Sequence, residues 1–142
     1  LNDSYVLVVP ASRKLDAPVA WRQLDALPFI ALACSGAAAI LERCRAAGFT
    51  AQASRTLAND TSIAAMVGRG LGYSVLPRLA TFPAPDDVRI IDLPLAARRE
   101  FALVCMPGSA RMQAVQVVTR FLRDQRILMK TKAFKAGIIS FD

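Results

Sequence analysis

The spacing of apolar residues divides the chain into short strands and amphipathic helices. Tyr5–Val9 is a valine-rich run closed by Pro10 and reads as a buried strand. Ala11–Pro18 is a polar loop, Val19–Leu24 a short helical turn and Pro28–Leu32 a second strand. Over Gly36–Ala47, the residues Ala37, Ile40, Leu41, Cys44 and Ala47 fall on one helical face, with Glu42, Arg43 and Arg45 opposite. Gly48 follows where a left-handed cap is expected. Thr50–Ala53 reads as a weak strand. Thr61–Pro77, TSIAAMVGRGLGYSVLP, predicts a helix, a glycine turn, a strand from Tyr73 to Leu76 and a proline stop. Ile63, Met66 and Val67 form the apolar face of that helix. Asn59, Asp60 or Thr61 can cap its start, and Gly70 or Gly72 can end it. Pro77–Asp87, with three prolines, is an irregular connection. Arg89–Leu93 and Phe101–Met106 read as strands, and Arg111–Leu122 as a helix with Met112, Val115, Val118 and Leu122 in one stripe. Strand and helix alternate, which predicts an α/β sheet with helices on both faces.

Composition narrows the class. The 142 residues are 54% apolar and 20% charged, which fits one compact folded unit with a substantial core. Trp21, Phe29, Phe101 and the methionines Met66, Met106, Met112 and Met129 sit at strand or apolar-face positions and read as core. The apolar runs are too short for a bilayer, which needs about 20 residues. The start, LNDSYVLVV, lacks the basic region and cleavage site of a secretory signal. It begins on Leu, so the chain reads as an excised piece of a longer protein. Three cysteines, Cys34, Cys44 and Cys105, do not make a secreted disulfide framework, and a reducing cytoplasm is the simpler setting. With no histidine, Ser-His-Asp and Cys-His catalysis and the commonest zinc ligand sets are excluded. No catalytic residue, metal site or cofactor is expected.

Charge is uneven. Residues 111–142 hold Arg111, Arg120, Arg123, Arg126, Lys130, Lys132 and Lys135 against Asp124 and Asp142, so this end carries +5 of the net +7. Such a tail can displace phosphate counterions, but it contains no nucleic-acid motif, and a solvated or partner-contacting end is expected. Its Gly137–Ser140 run could add a strand to a neighbour. Gly68, Gly70 and Gly72 follow a helix and precede a strand, the reverse of a nucleotide-binding loop, and read as cap and turn. Asp86 and Asp87 read as solvated turn residues. Two helix starts remain as candidate anion sites, Cys34-Ser35-Gly36 and Asn59-Asp60-Thr61, because free amide hydrogens and the helix dipole favour negative charge there.

The motif MVxxGLGxxxLP, spanning Met66–Pro77, resembles the effector-binding domain of LysR-type transcriptional regulators. The block YVLVVPASRKLDAPVAWRQLDALPFIAL, residues 5–32, fits the same family, in its order and spacing. The resemblance covers residues 1–124 and not the last eighteen. It implies two Rossmann-like subdomains joined by crossover strands, in the type II periplasmic-binding-protein-like arrangement, with a ligand in the cleft. Residues 1–99 would then be the second, inserted subdomain. Residues 100–124 would be a crossover strand, Phe101–Met106, and a helix returning to the first subdomain; 125–142 would be a basic tail outside the pattern. The rest of the first subdomain and the winged helix-turn-helix would lie outside this chain.

The resemblance also implies that Ala33, Cys34, Ser35, Gly36, Thr61 and Ser62 line the effector cleft. Ser35 and Thr61 would donate hydroxyl hydrogen bonds to a carboxylate; alternatively both are plain N-caps, worth about 1 kcal/mol each. The expected protein is a non-enzymatic, cytoplasmic sensor of a small acidic metabolite, a homodimer or homotetramer that meets DNA only through its N-terminal domain and does not meet membrane. Ligand would act by favouring the closed cleft. One alternative is a thiol redox sensor of the same family using Cys34 and Cys44, since Cys34 precedes a helix whose dipole can lower a thiol pKa. Against it, Ser35 stands where the resemblance implies the sensing cysteine, and Cys44 lies on an apolar face, where free cysteine acts as a small hydrophobe. The other alternative is a stand-alone solute-binding protein or an enzyme on the same fold, which the missing export signal and missing histidine disfavour.

Overall fold

The computed structural model describes residues 1–16 and 18–141. Ala17, in the expected polar loop, and Asp142, at the end of the basic tail, lie outside the described residues. The chain forms two compact units, one of Ser4–Arg98 and one of Leu1–Asp3 with Arg99–Asp142.

The larger unit is built on a twisted ladder of short strands. β1 (Asn2–Pro10) pairs antiparallel with β4 (Ser74–Pro77) on one side and with β5 (Val88–Asp92) on the other. β2 (Phe29–Leu32) pairs in parallel with β3 (Ala53–Leu57). A parallel bridge between Phe29 and Tyr73 joins β2 to the start of β4. There the Ile30 amide donates to the Tyr73 carbonyl at 2.9 Å, the Tyr73 amide to the Pro28 carbonyl at 3.0 Å and the Ser74 hydroxyl to the Ile30 carbonyl at 2.7 Å. The order across the unit is therefore β3-β2-β4-β1-β5, and β6 (Arg98–Glu100) pairs with β1.

The interior strand β1 is buried on both sides, which explains its unbroken apolar run. Tyr5, Leu7 and Val9 belong to one layer with Phe29, Tyr73 and the α1 residues Ala37, Ile40, Leu41 and Cys44 (α1, Ser35–Ala46). Val6 and Val8 belong to the other layer, with Ile30, Leu76 and the α2 residues Ile63, Ala64 and Val67 (α2, Asp60–Gly68). Alternate residues of one strand thus serve two helices on opposite faces. Phe49 sits edge-on to both Trp21 and Phe29, with ring centroids 5.0 and 5.1 Å apart, and closes the α1 layer. The α/β expectation holds.

The expected elements differ in detail. The third strand is Ala53–Leu57, not Thr50–Ala53. Its side chains are exposed except for half-buried Leu57, so its backbone pairing with β2, not an apolar pattern, makes it a strand. Ala47 is exposed and ends α1, and Gly48 does take a positive φ, +94°. The turn before β2 is a 3-10 helix, Trp21–Leu24, and another, Leu79–Thr81, lies in the proline-rich connection.

In the smaller unit, α3 (Gln113–Arg123), α4 (Gln125–Leu128) and α5 (Lys132–Lys135) follow in order. Phe101–Met106, expected as a strand, has no regular structure. A strand needs a neighbour to complete its ladder; here the Phe101 amide donates to the Leu1 carbonyl at 2.9 Å, while the Met106 carbonyl accepts locally from the Ala110 amide at 3.0 Å. Phe101, Met106, Met112 and Met129, read as core, are exposed, while Phe29 is buried and Trp21 and Met66 are half-buried. The apolar stripe of α3 is likewise uncovered, with no buried residue. Within the Gly137–Ser140 run, Ser140 pairs antiparallel with Asn2 of the same chain. Among the described residues no helix is long and apolar enough to cross a membrane.

Candidate functional site

Two parallel neighbours, β2 and β3, each run directly into a helix. Leu32 and Leu57 lie opposite one another, and the Ala33 amide donates to the Leu57 carbonyl at 2.8 Å. Both strands therefore leave the sheet at the same edge, from which α1 and α2 start toward opposite faces. This is the carboxyl edge of parallel strands, where open α/β sheets bind ligands. Ala33, Cys34, Ser35, Gly36, Thr61 and Ser62 are all on these two helix entries, and all are exposed.

Of the residues able to cap α2, Asn59 is the one that does, while α1 is capped by Cys34. At α1 the extended residue is Cys34, whose sulfur accepts from the Ala37 amide at 3.3 Å. Ser35 is already the first helical residue, and its hydroxyl has no hydrogen-bond partner among the described residues. At α2 the cap is Asn59, whose Oδ1 accepts from the Ser62 amide at 2.8 Å. The Thr61 amide donates to Asp60 Oδ1 at 2.8 Å, and its hydroxyl reaches the same oxygen only at 3.5 Å. The reading of Ser35 and Thr61 as N-caps is therefore corrected: Cys34 and Asn59, each in extended backbone directly before its helix, do that work.

The two helix starts differ electrostatically. Asp60 puts a carboxylate in the first turn of α2, whereas α1 has no acidic residue there. An incoming anion is thus better received at α1. Tyr5 contributes as well. It is buried, and a Cβ added at Gly36 would lie 2.5 Å from its hydroxyl oxygen, so glycine lets the α1 start settle on the β1 ring. Tyr5 was legible only as a core strand residue; a phenol inside a valine run is the one signal that could have marked it.

The two cysteines of α1 have opposite environments. Cys34 is exposed and Cys44 is fully buried, both with free thiols. Burial pushes the Cys44 thiol pKa up, against a smaller opposing pull from Arg43. Cys34 caps the helix that carries Cys44 ten residues on, which separates them by about 15 Å along the axis. A disulfide needs Cα atoms within about 7 Å, so α1 would have to unwind to form one. Gly70 and Gly72, with φ of +77° and +153°, follow α2 and lead into β4, as the cap-and-turn reading expects. Asp86 and Asp87 are exposed. The smaller unit separately carries an open apolar groove of about 1150 Å³, lined in part by Leu1, Phe101, Val118, Leu122 and Leu128, which no sequence pattern marked as a site.

The sequence profile of the LysR substrate binding domain matches residues 1–126. The chain is similar to the "Probable HTH-type transcriptional regulator LrrA" of Synechococcus elongatus, with 28% identity over 125 residues, covering 87% of this chain and 42% of that protein. It thus spans less than half the length of that relative. Among solved structures, a hydrogen-peroxide-bound mutant of Corynebacterium glutamicum OxyR superposes with a TM-score of 0.68 at 18% identity, covering 100% of this chain and 48% of that one. HinK, a LysR family transcriptional regulator from Pseudomonas aeruginosa, gives 0.61 at 19% identity, covering 87% and 45%. A mutant OxyR2 regulatory domain from Vibrio vulnificus gives 0.65 at 19% identity, covering 83% and 59%. At such identities these structures speak to the fold, the type II periplasmic-binding-protein-like arrangement. With that fold, the paired helix starts at its sheet edge and the profile match over residues 1–126, the chain belongs to the family of LysR substrate-binding domains.

Proposed function

We propose that this domain senses a small organic acid for a LysR-type transcriptional regulator, and that it is not an enzyme. The observation that carries the reading is a pair of helix N-termini that leave neighbouring parallel strands at one sheet edge, with two exposed hydroxyls, Ser35 and Thr61, that capping does not use. A carboxylate set against the start of α1 meets free amide hydrogens and the positive end of the dipole, with Ser35 as donor. Thr61 and Ser62 close on a second polar group of the ligand, and Ala33, Cys34 and Gly36 line the floor. In this reading residues 1–99 form the second subdomain and supply one wall of an inter-subdomain cleft. Residues 100–124 return to the first subdomain, and 125–142 lie outside the pattern. Ligand binds the closed cleft more tightly and so shifts the population toward it. The change passes through a homodimer or homotetramer to winged helix-turn-helix domains outside these residues, in the cytoplasm.

Titrating the isotope-labelled protein with a panel of small carboxylates, followed by amide chemical shifts, tests this. The reading predicts saturable shifts confined to residues 33–37 and 59–63. Shifts that saturate elsewhere, or none with any acid, would contradict it.

A further inference from the structure

We propose that residues 127–141, which lie beyond the family match, form an intramolecular strap that occupies the strand edge at Asn2 and keeps it from pairing with another chain. The segment is built to turn back. Thr131 caps α5, its hydroxyl accepting from the Phe134 amide at 3.2 Å and donating to the Leu128 carbonyl at 2.7 Å. Gly137, at φ +68°, ends that helix, and the Ile138 amide closes on the Ala133 carbonyl at 2.9 Å, a reversal that sends the chain back toward its own start. Ser140 then pairs antiparallel with Asn2 in both directions. The Asn2 amide donates to the Ser140 carbonyl at 2.8 Å, and the Ser140 amide donates to the Asn2 carbonyl at 3.1 Å.

The side chains divide in the same sense. Ile139 is buried at 6% exposure, and Phe134 and Phe141 stack with centroids 5.3 Å apart. Lys130, Lys132 and Lys135 stay in solvent. Leu128 and Phe141 also line the apolar groove together with Leu1 and Phe101. An open strand edge beside uncovered apolar surface is a template for a strand from another molecule. The strap fills that position from within the chain, by the main-chain pairing that strand addition uses.

The test uses the full chain, its Ser140→Pro and Ile139→Asp variants, and a labelled peptide of residues 127–141. Ser140→Pro removes the Ser140 amide that donates to the Asn2 carbonyl and changes an exposed residue, so it keeps the test alive if Ile139→Asp does not fold. The strap predicts at least tenfold faster hydrogen exchange of the Asn2 amide in the variants. It also predicts saturable peptide binding to Ser140→Pro that is at least tenfold weaker on the unmodified chain. Lys132→Ala with Lys135→Ala should change neither. Equal Asn2 exchange in the two chains, equal peptide binding, or an effect of the lysine changes as large as that of Ser140→Pro would each overturn it.

Discussion

Gly72 shows how much a single residue can decide. Its φ of +153° favours glycine, and an added Cβ would collide with the Pro28 carbonyl that accepts from the Tyr73 amide. Gly72→Ala should cost about 2 kcal/mol or more in denaturant unfolding, whereas Gly108, with nothing near it, should tolerate alanine. Next in the chain, Tyr73 is 1% exposed, and its phenol is pushed up from 10.0 to about 12, by burial first and by Asp25 second. The folded state then holds a proton that the unfolded chain releases. Stability from this group is complete below pH 10.0 and falls by about 1.4 kcal/mol per pH unit until about 12. Tyr73→Phe should flatten that alkaline slope in unfolding measured against pH. The glycine pattern was legible because the turn before β4 needs positive φ. The buried phenols Tyr5 and Tyr73 were legible as core and not as titrating or site-adjacent groups, since no local pattern says which element covers a hydroxyl.

At the scale of elements, capping and ligand contact separate cleanly. Asn59→Ala removes the acceptor of the Ser62 amide and should lower stability by about 1 kcal/mol. Ser35→Ala and Thr61→Ala should each stay within about 0.5 kcal/mol, because neither hydroxyl caps its helix. The two helices of the larger unit and α3 also differ. Ile63 is fully buried against β1 and β2 residues, so Ile63→Ala should cost about 2–5 kcal/mol. Val118 is 55% exposed, so Val118→Ala should be nearly silent in the same thermal and denaturant measurements. Periodicity found α1, α2 and α3 alike, because an amphipathic stripe is written in the residues. It could not say that the stripe of α3 would be uncovered, nor that 101–106 would lack a ladder, because both depend on what lies alongside. β3 shows the converse: a polar, exposed segment is a strand only because β2 supplies its hydrogen bonds.

For the whole molecule, the order of strands and helices was enough to read an α/β sheet covered on both faces, since β1 is apolar at every position that two layers require. The two motif blocks were enough for the family, whose profile covers residues 1–126. What the sequence left open is what depends on distance in space: the tail reversal onto Asn2, and the meeting at one sheet edge of two helix starts, Ser35 and Asp60, that lie well apart in the chain. That meeting is the centre of the functional account. The measurement that tests it most directly is thermal unfolding of the protein over a concentration series of small carboxylates, repeated with Ser35→Ala and Thr61→Ala. Binding to the folded state adds about 2.7 kcal/mol at a hundredfold excess over the dissociation constant. The account predicts a saturable rise in melting temperature with at least one acid, lost or weakened at least tenfold in both variants. A rise that both variants retain, or no rise with any acid, would contradict it.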